Sequence, residues 1–179
     1  MLTPPLQNPS MITVGPSPRY ANGHPGNVIF MIPVNHMERM ERDNPVKIVS
    51  AVILNEDGHL LLLKRSPEKK DYPQQWDTVV GKIEHGESAR EALQREIREE
   101  LGLDIKKDKT FQIIRKLLPQ QYHDLGKEWI TYLFLCRLHH QKITLNKEHS
   151  EYTFAPLDNL IEYKCTKPFL NDIRLLFPK

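Results

Sequence analysis

The sequence predicts an α/β (α+β) domain in which a mixed β-sheet is sandwiched between α-helices. Three observations carry that expectation. Apolar runs of strand length, such as Lys47 to Leu54 and Glu128 to Leu138, stand on both sides of one short helical segment. Near-continuous runs of this kind mark strands covered on both faces. A second helical pattern closes the chain, with Phe169, Leu170, Ile173, Leu176 and Phe177 at the spacing of one apolar stripe.

In chain order, residues 1 to 45 form a separate stretch that holds eight of the 14 prolines. It can carry neither a long helix nor a central strand. We expect an extended arm, lying over the domain or swapped onto a second subunit; an arm that helps build the substrate pocket is the alternative. Val28 to Ile32 is one short apolar run there that could add an edge strand. The domain proper is expected over 46–179. Lys47 to Leu54 reads as a strand, Asn55-Glu-Asp-Gly58 as a hairpin turn, and His59 to Arg65 as the return strand. Ser66 to Pro73 is a polar connection, and Trp76 to Gly81 a short strand.

Ser88 and Glu91 have the spacing of a capping box, and Gly102 stands where a left-handed residue ends a helix. Leu93, Ile97 and Leu101 recur every four residues as its buried stripe. Beyond the helix, Phe111 to Leu118 is expected as a strand and residues 119–127 as a polar connection. Glu128 to Leu138 is the strongest strand by β-branched and aromatic content. His139 and His140 point apart on an extended chain and read as a surface turn rather than a metal pair. Glu148 to Phe154 follows, then a short helix from Asp158 and a final helix from Lys167 or Pro168 to Phe177.

The middle helix carries an acidic edge. At roughly 100° per residue, Glu96, Glu99 and Glu100 share about 100° of arc, and Glu96 and Glu100 are stacked like charges. Such a cluster beside a buried stripe calls for a divalent cation, and hard oxygen donors suit Mg²⁺ or Mn²⁺. An acidic face paired with Arg90, Arg95 and Arg98 gives the same pattern, and the helix alone does not choose.

The loop before the helix adds the deciding sequence. The segment from Gly81 to Leu103 resembles the signature of the Nudix hydrolase family, G-x5-E-x7-R-E-U-x-E-E-x-G-U, where U is bulky and aliphatic. Gly81, Glu87, Arg95, Glu96, Ile97, Glu99, Glu100, Gly102 and Leu103 fill every fixed position over 23 residues. The resemblance implies a Nudix-type fold, with Glu96, Glu99 and Glu100 as metal-binding carboxylates and the Gly81 carbonyl as a further ligand. It also implies Glu87 in the outer metal shell and Arg95 orienting the glutamates. By the same likeness Glu148 is the candidate for an added metal ligand or the general base, with Glu151 in reserve.

Lys64 and Arg65 end a strand that points towards the motif loop, as phosphate contacts or as solvated strand-end cations. Trp76 packs near a base or plugs the core. Lys82 lies in a loop similar to that of MutT-type members and is assigned with these three to the substrate.

The reaction such a site serves is displacement at phosphorus, with metals neutralising diphosphate charge and a nearby carboxylate taking a proton from water. We therefore expect hydrolysis of a pyrophosphate bond in a nucleoside diphosphate linked to another moiety, with (deoxy)nucleoside triphosphates ranked first. ADP-ribose and nucleotide sugars come second. Likeness to isopentenyl-diphosphate isomerases around Lys70 to Asp77 lacks the cysteine and histidine that chemistry needs. A non-catalytic nucleotide-sensing module is the contrasting class; degenerate examples lose motif glutamates, and this chain keeps them.

Composition bounds the rest. A formal charge of +2 gives no argument for nucleic acid or a membrane surface. No apolar run is long enough to span a bilayer and no signal-peptide pattern opens the chain, so a cytoplasmic location is expected. Cys136 and Cys165 form no metal-type spacing, and Cys136 reads as a core residue. Apolar strand surface and the proline-rich arm are compatible with a homodimer.

Overall fold

A computed structural model describes residues 45–107, 109–139 and 142–178. The N-terminal arm and its Val28 to Ile32 run lie outside the described residues. Among the described residues eight strands form a single mixed sheet: β1 (Val46–Leu54), β2 (Leu60–Arg65), β3 (Trp76–Asp77), β4 (Val79–Lys82), β5 (Phe111–Lys116), β6 (Gln120–Asp124), β7 (Lys127–Leu138) and β8 (His149–Ala155). Helix α1 (Ala89–Leu101) follows β4, and α2 (Lys167–Leu176) closes the chain after a 3₁₀ turn at Leu157–Glu162.

The sheet path runs β3-β2-β1-β7-β5, with β8 added beside β2, β4 beside β1 and β6 beside β7. β1 and β7 are parallel along their whole overlap, from Val46 opposite Trp129 to Leu54 opposite Arg137, and the remaining pairings are antiparallel. The other edge of β1 is divided. Leu54 pairs with Leu60 of β2, whereas Ile48 to Ala51 pair with β4. The segment expected as one strand from Trp76 to Gly81 is therefore two: it changes partner at Thr78, whose hydroxyl donates to the Ala51 carbonyl.

Alternation along β1 builds two cores, because successive side chains leave opposite faces of a strand. Val49, Ala51 and Ile53 pack with Leu61, Leu63 and the α1 stripe of Leu93, Ile97 and Leu101. Val52 and Leu54 pack with Leu60, Leu62 and the α2 residues Phe169, Ile173 and Leu176. The three stripe residues of α1 are fully buried, each contributing roughly 1.5–3 kcal/mol by the usual transfer scale. Cys136 is buried in the α1-side core as expected.

Both ends of α1 close as the sequence predicts. The Ser88 hydroxyl accepts from Glu91 N–H at 3.3 Å, and the Glu91 carboxylate accepts from Ser88 N–H at 2.9 Å. Gly102 is left-handed at φ 71° and its N–H donates to the Arg98 carbonyl.

Two expectations are corrected. The strand from Phe111 stops at Lys116, and the polar connection after it contains strand β6. β6 pairs with the start of β7 through a two-residue turn at Leu125 and Gly126, both at positive φ.

Candidate active site

The loop 83–88 and the first strand of the motif bring Gly81 against α1. A Cβ on Gly81 would lie 1.8 Å from Cδ and from Oε1 of Glu96, so only glycine leaves room for that carboxylate. Glu96 and Glu100, one turn apart, are both buried, at 8% and 2% exposed, while the Glu99 side chain is half exposed. Burial pushes the Glu100 carboxyl well above the ordinary carboxylate range, and the neighbouring negative charges of Glu96, Glu148 and Asp77 push it the same way. Glu96 is raised too, by burial first, against the opposing pull of Arg95.

Arg95 organises the motif loop. Its Nε and Nη2 donate to both oxygens of Glu87 at 3.1 and 3.0 Å, and Nη2 also donates to the Lys82 carbonyl at 2.7 Å. Nη1 donates to Glu96 Oε1 at 2.6 Å and reaches Glu99 at 3.5 Å. The fork geometry of a guanidinium makes these parallel contacts available to arginine and not to lysine. Glu87 is held below its ordinary value by this pairing. The arginine-paired acidic face and the buried carboxylate cluster thus coexist: Arg95 satisfies Glu87 and Glu96, and nothing satisfies all of Glu100.

Among the described residues Glu100 Oε2 is buried without a hydrogen-bond partner. It faces Nδ1 of His149 at 3.9 Å, which is too long for a hydrogen bond, and that nitrogen also lacks a partner. Burial, aided by the charge of Arg65, lowers His149 to about 4, so the imidazole is neutral and the contact is not an ion pair. An orphaned carboxylate oxygen in a buried setting is costly unless a cation meets it. The donor set of Glu96, Glu100 and the Gly81 carbonyl is all oxygen, which fits a hard divalent ion. Among the described residues no three acidic, histidine or cysteine side chains already converge as a closed cage.

The remaining predicted residues distribute around this cluster. Glu148 precedes β8, half exposed, and its carboxylate is paired with Lys69. Arg65 donates from Nε to the Asp71 carbonyl at 3.0 Å and from Nη1 to Asp77 at 3.4 Å, so it faces the acids through Asp77. Lys64 pairs with Glu151 at 3.1 Å and lies over the Trp76 ring at 5.5 Å. Trp76 packs edge-on against Tyr163 and joins the α2-side core, which matches its core reading. Lys82 is exposed beside Gly81. His139 pairs with Glu56 at the surface.

The NUDIX domain profile matches residues 44–174. The chain belongs to the Nudix family. It is 32% identical over 133 residues to the nucleoside triphosphatase NudI of Escherichia coli O139:H28, covering 72% of this chain and 94% of that protein. Among solved structures it is similar to a MutT protein from Methanosarcina mazei Go1, at 26% identity and a TM-score of 0.62 over 75% of this chain and 94% of that one. A C. elegans Ap4A hydrolase shares the fold at 23% identity and a TM-score of 0.58, over 73% and 94% of the two chains. Nudix hydrolases generally use divalent metal ions, in keeping with the donor set above. Among the described residues no helix is long and apolar enough to cross a membrane.

In this Nudix domain the sequence did not single out Asp77, His149 or Lys69. Asp77 is 5% exposed, and burial raises its carboxyl to about 6 despite Arg65 and a 2.9 Å bond from Thr78 N–H. Each of the three reaches the cluster from a different strand or loop.

Proposed function

We propose that this Nudix enzyme hydrolyses nucleoside triphosphates to a monophosphate and pyrophosphate with the help of Mg²⁺ or Mn²⁺. The observation that carries the reading is the buried pair Glu96 and Glu100 beside Gly81, with one Glu100 oxygen left without a partner. Likeness to a nucleoside triphosphatase over most of both chains supports the substrate class. Glu96, Glu100 and the Gly81 carbonyl would hold the ion, with Glu99 at the exposed rim and Glu87 placed behind them by Arg95. Bound there, a divalent ion supplies charge neutralisation for the diphosphate and a more acidic water.

The chain's own groups do the rest. Arg95 fixes Glu96 and Glu87 so that neither swings out to solvent. Glu148 stands at the mouth of the cluster, half exposed, and its charge reaches both Glu96 and Glu100. It takes a proton from the attacking water as general base. Lys82, Lys64 and Arg65 supply positive charge around the phosphates, and Trp76 walls the adjoining core.

Incubating the full chain with nucleoside triphosphates, nucleotide sugars and dinucleotides, with product masses read out, tests the proposal. Divalent-ion-dependent release of pyrophosphate from triphosphates is expected. Absence of any such turnover across the panel refutes it. Cleavage confined to ADP-ribose or nucleotide sugars would move the substrate class while keeping the site.

A further inference from the structure

Among the described residues around the acidic cluster, Lys82 is exposed beside Gly81, and Arg95, Arg65 and Lys64 are committed within the fold. Arg95 spans Glu87, Glu96 and the Lys82 carbonyl. Arg65 is tied to Asp77 and the Asp71 carbonyl, with its side chain 17% exposed. Lys64 is placed between Glu151 and the Trp76 ring.

Lys69 differs. Among the described residues its ammonium has one partner, the Glu148 carboxylate, and the two side chains are 30% and 48% exposed. Its position is nonetheless built. Lys69 N–H donates to the Ser66 carbonyl at 3.1 Å, and Ser66 N–H donates to the Glu148 carbonyl at 2.8 Å, so the turn bearing Lys69 is bonded to the segment bearing Glu148. The far end of the same loop is fastened by Tyr72, whose hydroxyl donates to Asp124 at 2.7 Å.

We propose that Lys69 is a polyphosphate-binding residue of this site, stored against Glu148 in the free protein and transferred to the substrate's phosphates on binding. The inference rests on the nucleotide-hydrolase reading above. Carboxylates outnumber cations around the cluster, so an incoming polyanion needs a cation that can leave its partner cheaply. A half-exposed ion pair contributes little net stability. A phosphate offers the same ammonium more negative charge and more acceptors. The exchange also frees the Glu148 carboxylate at the moment substrate arrives, coupling binding to the group proposed as base.

The test uses the full chain carrying Lys69→Ala and Lys69→Arg, with inorganic tripolyphosphate as a competitive inhibitor that lacks the nucleoside. For Lys69→Ala, KM for a nucleoside triphosphate and Ki for tripolyphosphate should rise together by about tenfold, with kcat within about threefold of wild type. Lys69→Arg should recover most of the loss, and the thermal midpoints should stay close to wild type. If Lys69→Ala folds poorly, Lys69→Gln takes its place. Unchanged KM and Ki overturn the inference, as does a fall in kcat alone, which would confine Lys69 to acting through Glu148. Should the wild-type chain show no turnover, the parent reading fails. Calorimetric binding of tripolyphosphate with Mg²⁺ then still decides on Lys69: weaker binding by the variant supports it, and equal or absent binding overturns it.

Discussion

Gly81→Ala separates a positional defect from a folding defect. The new methyl group would meet the Glu96 carboxylate at 1.8 Å, whereas real Cβ contacts are essentially never closer than 3.0 Å, so the carboxylate must retreat by about 1.2 Å or more. The obstacle is the far end of a flexible side chain, and Gly81 is not among the glycines at positive φ, so the backbone itself accepts alanine. The loss in stability should be on the order of 1 kcal/mol, the worth of a perturbed Arg95–Glu96 hydrogen bond offset by a stiffer unfolded chain. Function should suffer far more. Displacing a reacting group by about 1 Å costs on the order of 10²-fold, or about 2.7 kcal/mol in the barrier. Steady-state kinetics, Mn²⁺ binding by paramagnetic resonance and a thermal melt on one preparation give the three readouts. Gly86→Ala is the control: at φ 79° with nothing near its Cβ, it should lose about 1–2 kcal/mol of stability and keep its turnover and metal affinity. Full activity and unaltered Mn²⁺ binding in Gly81→Ala would refute the reasoning, because Glu96 would then not need its present place.

Three further outcomes follow from the same geometry. Glu100→Gln removes a buried charge of nearly the same shape, so the metal-free protein should be as stable as wild type or more so, while divalent-ion binding and turnover are lost; calorimetry and kinetics check the opposite signs. Asp172, buried on α2 and accepting from Ser50 at 2.6 Å, is raised by burial to about 7, so the neutral acid is the form that fits. Its stabilising contribution is complete below about pH 4 and fades as pH rises towards 7, an effect of at most about 4 kcal/mol, and Asp172→Asn should flatten that part of the stability–pH curve measured by urea unfolding. Ser88→Ala removes the hydroxyl half of the capping box, leaving the Glu91 carboxylate on the residue-88 backbone N–H, and should cost about 1 kcal/mol by the same measurement, with little effect on kcat.

The sequence made legible what is local. Ser88, Glu91 and Gly102 fix the ends of α1 within one or two turns of themselves, and the stripe and the acidic edge follow from a 3.6-residue period. Strand β6 escaped because its residues are partly or wholly exposed throughout and its turn begins with Leu125 rather than the asparagine or aspartate that signals a tight hairpin. The long-range pairings escaped for a different reason. Lys69 and Glu148 are 79 positions apart, and Ser50 and Asp172 are 122, distances over which no spacing rule operates.

This difference bears on how the acidic edge should be read. A solvated face neutralised by arginines and a cation-holding cluster share one sequence pattern, and pairing does not separate them, since Arg95 binds Glu87 and Glu96 under either reading. Burial does. An acidic residue whose task is solubility has no reason to stand 2% exposed with an oxygen unpartnered, one turn from a second buried carboxylate. Desolvation without compensation costs more than the apolar packing of one residue returns, and burial accordingly pushes the Glu100 carboxyl well above the ordinary range, a penalty the proposed cation would offset. That argument needs the sheet behind the helix, the Gly81 cradle beside it and the neutral His149 across from it. Spacing could suggest the cluster, but only tertiary structure shows that water does not reach it.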